Sequence, residues 1–104
     1  MPQHATIVAS SVKTFFRYSL RVVQDLARDA ICSHVARLLR EERLRQKLSL
    51  NVLAARAGLS RQMVSYIETE DRNPSLETLL RITFAMGVNL DDVIMRARLA
   101  VTGQ

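Results

Sequence analysis

Residues 53–68 read LAARAGLSRQMVSYIE. Apolar spacing is helical on both sides of a break at Gly58, where a left-handed backbone residue is wanted, and Ser60 follows at a position suited to capping a fresh helix. Two helices joined by three or four residues cross at a steep angle. Ala54, Ala57 and Gly58 keep that crossing close, since larger side chains would push the helices apart. On the second helix Val64 and Ile67 face inward, which turns Arg61, Gln62, Ser65 and Tyr66 outward. The break therefore presents the leading end of one short helix to whatever lies outside.

The surrounding chain extends the same pattern. Ile31, Val35, Leu38, Leu39, Leu44 and Leu48 recur at near-helical spacing and predict helix one of a core domain. Ser49 is a candidate N-cap for helix two, Leu50 to Ala57. After helix three comes the polar loop TEDRNPS, in which Pro74 stops a continuing helix and Ser75 can cap the next. Leu76, Leu79, Leu80, Ile82 and Phe84 make helix four strongly apolar, and Gly87 closes it. Asn89 with Asp92 suggests a capping-box start for helix five, reaching about Arg98 and leaving 99–104 as a short tail. With 48% apolar residues but only 5% aromatics, and few Gly or Pro, an all-α protein is expected.

Residues 1–29 differ from the domain at 30–98. From about residue 11, Val12, Phe15, Phe16, Ser19, Val22, Val23 and Leu26 trace one helix face, with Lys13, Arg17, Arg21 and Arg28 on the other. This arm is expected to be an amphipathic helix that continues into helix one. It pairs with a second copy, with Val12, Phe16, Val22 and Leu26 in the seam, or packs on its own domain, or else is a membrane-surface or disordered arm.

A net charge of +5 and a pI near 10.3 permit an anionic partner without naming one. One cysteine, Cys32, rules out an internal disulfide, and with two histidines it leaves too few soft ligands for a zinc site, so no metal or other cofactor is expected. No glycine-rich phosphate loop and no convincing nucleophile, base and orienting acid can be assembled, so no catalytic residue is assigned. No apolar run approaches the roughly 20 residues of a membrane span, and no basic n-region precedes the stretch ATIVASSV; cytoplasmic residence without membrane association is the expectation.

The segments LREERLRQKLS, LAARAGLS, SRQMVSYIE and RNPSLETLLRITFAMGVNLDDVI together resemble the lambda-repressor and Cro type of helix-turn-helix, the XRE family, over about 60% of the chain. The resemblance implies a five-helix lambda-repressor-like domain behind an additional N-terminal helix, and binding to double-stranded DNA. Helix three would enter the major groove while helix two braces on the backbone. Arg61 and Gln62 fall where relatives contact base edges. Their chemistry suits guanine O6 and N7 and adenine N6 and N7 respectively. Ser65 and Tyr66 are further base or methyl contacts by resemblance, and Asn51, Ser60, Arg72 and Asn73 would hold the DNA backbone. Arg43 and Glu68 occupy positions that in the family form a partly buried ion pair, a structural role.

Three residues depart from the family pattern. Leu50 replaces a glutamine that often contacts phosphate, while Glu70 and Asp71 stand where Gly and Lys are frequent, bringing negative charge towards DNA. Because Glu70 lacks glycine's freedom at positive φ, helix three is expected to run on by about a turn. The function implied is a dimeric transcriptional regulator, most simply a repressor, on a palindromic operator with half-sites about one helical turn apart. The alternative is an antitoxin or adaptor whose helical domain mainly binds a protein, such as a toxin or another regulator.

Overall fold

The computed structural model describes residues 2–70 and 73–103, with side chains from residue 11 onward. Five helices follow one another: α1 (Pro2–Arg45), α2 (Leu50–Ala57), α3 (Arg61–Glu68), α4 (Leu76–Met86) and α5 (Leu90–Thr102). No strand occurs among the described residues.

Capping explains most of the boundaries. Ser49, Ser60 and Ser75 are in extended conformation, and their hydroxyl oxygens accept from the amides of Val52 (3.1 Å), Met63 (3.0 Å) and Thr78 (3.2 Å). Each bond satisfies an amide that the first helical turn leaves without a partner. Gly58 at φ 69° and Gly87 at φ 70° end α2 and α4 in the left-handed region.

Asn89 does not form the expected cap. Its side chain makes no bond to the α5 backbone and its amide lies 3.5 Å from the Asp92 carboxylate instead. The start of α5 is served by the charges of Asp91 and Asp92, which suit the positive end of the helix dipole. The helix also runs to Thr102, beyond the expected stop near Arg98, with Gly103 at φ 72° behind it. Residues 99–102 are therefore helical, not tail.

Helix three ends at Glu68, where the polar loop begins, and does not run on. Thr69 caps it, and Glu70 takes a left-handed φ of 67° despite its side chain, so the expected extra turn is absent. Lys47 at φ 58° makes a comparable tight exit from α1. Each of these left-handed residues costs about 1 kcal/mol locally, a cost that the packing of the domain outweighs.

The core lies between the C-terminal half of α1 and the other four helices. Val35 and Leu39 of α1, Leu53, Ala54 and Ala57 of α2, Val64 and Ile67 of α3, Ile82 and Met86 of α4, and Val93 and Ala97 of α5 are buried together. Buried Thr83 donates its hydroxyl to the Leu79 carbonyl, 2.9 Å away, so it carries no unpaired polar group into the interior. Not every apolar residue of the pattern is interior: Leu44, Leu76 and Phe84 are exposed, Phe84 by 74%.

The N-terminal arm and helix one of the domain form one uninterrupted helix of 44 residues, which gives the molecule a long axis of 70 Å. From residue 11 to residue 26 its apolar side chains are exposed, so the arm does not fold back on its own domain.

Candidate nucleic-acid interface

The turn at Gly58 is built from backbone first. The Gly58 and Leu59 amides return to the carbonyls of Ala55 and Ala54, at 3.4 and 2.9 Å, closing α2 and redirecting the chain within two residues. A Cβ at Gly58 would sit 3.1 Å from Arg81 Nη1, so this position is both left-handed and crowded. Ser60 then starts α3 afresh.

On α3, Val64 and Ile67 are buried and hold the helix against the core, which leaves Arg61 and Gln62 exposed at its leading end. Arg61 makes no hydrogen bond or ion pair among the described residues. Gln62 donates from Nε2 to the Tyr66 hydroxyl one turn on. This bond uses one N–H of the amide and leaves the other N–H and the carbonyl oxygen available, the pair needed for bidentate contact with adenine. Tyr66, half-buried, thus braces Gln62. Arg61, Gln62 and Ser65 line one shallow surface hollow.

Among the residues considered for backbone contact, Asn51 is exposed in the first turn of α2, Ser60 is engaged as the α3 cap, and Asn73 is exposed in the loop before α4. Arg72, with Asp71, lies outside the described residues. Two further cations border the turn: Arg56 is exposed in the last turn of α2, and Arg81 reaches Gly58 from α4 while its Nη2 donates to Glu77 Oε1 at 3.0 Å. The sequence reading singled out neither: Arg56 lies outward at the end of α2, and Arg81 comes to the turn only because tertiary packing brings α4 there.

The far end of α3 is anchored to α1. Arg43 donates from Nε to Glu68 Oε2 and from Nη2 to Glu68 Oε1, both at 2.8 Å, and from Nη1 to the Leu48 carbonyl at 2.9 Å. Both side chains are buried, and the Glu68 carboxylate raises the Arg43 pKa above its usual value through these hydrogen bonds. A two-pronged link of this kind fixes the angle as well as the distance between two helices. Ion pairing thus sets the tail of α3 while its head stays exposed.

No three His, Cys, Asp or Glu side chains converge on a possible metal position among the described residues, and no described helix is long and apolar enough to cross a membrane.

A family described as helix-turn-helix matches residues 39–93, from the middle of the core half of α1 to α5. Over 88 residues the chain is 32% identical to a proposed HTH-type transcriptional regulatory protein of Methanosarcina mazei, and 31% identical to one of Methanosarcina barkeri. Each alignment covers 81% of this chain and 27% of the relative, so the chain spans about a quarter of their length. Among solved structures, the restriction-modification controller protein C.AhdI of Aeromonas hydrophila is similar, with a TM-score of 0.57 and 30% identity over 61% of this chain and 94% of that one. With its capped turn, outward-facing α3 and family match in the same register, the chain belongs to the XRE-type helix-turn-helix family of DNA-binding regulators.

Proposed function

We propose that the chain is a sequence-specific regulator that reads a palindromic operator as a dimer, most simply as a repressor, through the leading end of α3. The observation that carries this reading is the exposed pair Arg61 and Gln62 at a capped helix start whose opposite face is buried. Arg61 supplies a fork for guanine, and Gln62, braced by Tyr66, supplies a donor and an acceptor for adenine. Ser65 stands beside them as a base or methyl contact. Free amides at the starts of α2 and α3, with Asn51, Ser60, Asn73 and Arg72, hold the flanking phosphates. A single domain covers only a few base pairs, which is the reason for a second copy.

Selection of bound sequences from random duplexes tests the reading directly. The expected result is a two-fold-related pair of half-sites, and Arg61→Ala should lose about 1 to 3 kcal/mol on the preferred site and relax one position in each half. An unchanged ranking of sites in Arg61→Ala would remove α3 from base recognition. The adaptor reading is favoured by Glu70, exposed near the loop, and by the exposed apolar arm. Salt separates the two: retention on duplex DNA that falls steeply as salt rises belongs to a DNA-binding regulator, and absence of retention at low salt to an adaptor.

A further inference from the structure

The exposed stripe on the arm has an internal symmetry. Counting outward from Ser19, Phe16 and Val22 lie three residues away, Phe15 and Val23 four, and Val12 and Leu26 seven. Apolar matches apolar at each step. All six are exposed, from 40% for Val22 to 72% for Phe15, and the small residue at the centre is half-buried.

The stripe also points away from its own domain. At about 100° per residue, Val35 and Leu39, which seat α1 on the core, are rotated by about 160° and 200° from Ser19. Charge is graded along the arm as well. Lys13 and Arg17 precede Ser19 with no acidic residue among 11–18, while Arg21, Asp25, Arg28 and Asp29 follow it and balance one another, Arg28 lying 3.4 Å from Asp25 and 3.1 Å from Asp29.

We propose that this face pairs with the same face of a second copy in antiparallel sense, with Ser19 on the two-fold axis. Phe16 then meets Val22 of the second copy, Phe15 meets its Val23, and Val12 meets its Leu26. Lys13 comes level with Asp25 of the second copy. Parallel pairing also sets apolar against apolar, but it lays the two basic halves side by side. The antiparallel sense brings each basic half to one without net charge, with Arg17 level with Arg21 of the second copy as the one like pair, and so lowers the repulsion that parallel pairing would carry. Ser19 leaves room for the helices to approach most closely where they cross. The domains are carried to opposite ends of the rod, with the two copies of Val35 about 48 Å apart along it at about 1.5 Å per residue.

The inference takes the dimer of the preceding reading as its starting point and is independent of base recognition by α3. Its test uses the full chain in a Cys32→Ser background, with Val12→Cys and Leu26→Cys made singly. Under oxidising conditions an equal mixture of the two variants should give the mixed disulfide-linked dimer, and Val12→Cys alone should give none. In light scattering, Phe16→Glu should halve the mass of the parent chain while leaving its helical circular dichroism unchanged. Self-linking of Val12→Cys, a dimer mass that survives Phe16→Glu, or a parent chain that is monomeric at every concentration would each overturn the antiparallel seam. Salt-sensitive retention of the parent on duplex DNA in any of those cases leaves the α3 reading standing.

Discussion

The arm and the core half of α1 are two lengths of one helix, each with an apolar stripe and a charged face, and they end up differently. Val35 and Leu39 are buried under four other helices, whereas Phe15, Phe16, Val23 and Leu26 face outward. The family match begins at residue 39, so it takes in Leu39 but neither Val35 nor any residue of the arm's stripe. Amphipathicity says that a face will be covered, not by what. The core stripe is covered because the short helices after it, capped and turned by Ser49, Gly58, Ser60 and Ser75, come back onto it.

Substitutions of increasing subtlety sharpen this contrast. Glu68→Ala should cost about 3 to 5 kcal/mol in denaturant unfolding, because it strands Arg43 inside the domain; Arg43→Ala combined with Glu68→Ala should cost less than the sum of the two alone. A cycle without coupling would show that the pair does not act as a unit. Leu53→Ala, in the fully buried middle of α2, should cost about 2 to 5 kcal/mol. Leu26→Ala, by contrast, should leave unfolding of the isolated chain unaltered at low concentration, and a large loss there would mean that the arm is part of the domain's core.

Smaller effects are expected at the two ends of the ion-paired helices. Glu70→Gly should stabilise the chain by about 1 kcal/mol by relieving the left-handed backbone, and it should raise salt-dependent affinity for DNA of any sequence. At Glu42, hydrogen bonds from Arg45, and then from Gln46, hold the carboxyl at a pKa of about 2 against an ordinary 4.5. A lowered folded pKa contributes stability in full above pH 4.5 and loses it as pH falls towards 2. Unfolding followed across that interval should show a shallower loss in Glu42→Gln than in the parent.

Much of the domain was legible because its signals are local. A serine before a helix, a glycine behind one and apolar residues at 3.6-residue spacing each report a constraint satisfied within a few positions. Where the sequence reading failed, the deciding contact was distant. The polar loop after Glu68 allowed α3 to stop there or to run on, and the left-handed φ that ends it falls on Glu70, a residue type that does not announce such a turn. Asn89 looked like a cap, but its amide is drawn to the Asp92 carboxylate. Phe84 and Leu76 fit the apolar pattern of α4 and yet lie outside, because an apolar run wider than the contact surface spills past its edge. At the candidate interface, spacing turned Arg61 and Gln62 outward and the family resemblance suggested their role, while the Gln62–Tyr66 bond and the approach of Arg81 to the turn required the folded arrangement.

Because no loop separates arm from domain, α1 behaves as a shaft that transmits angular phase. One residue inserted near Ala30 would swing every arm side chain by about 100° about the helix axis relative to α3, whereas seven would return the phase to within about 20° and lengthen the shaft by about 10 Å. In the proposed antiparallel dimer, the spacing and orientation of the two copies of α3 would thereby be locked to each other. Under that proposal, a change to differently spaced half-sites would be confined to steps of whole helical repeats.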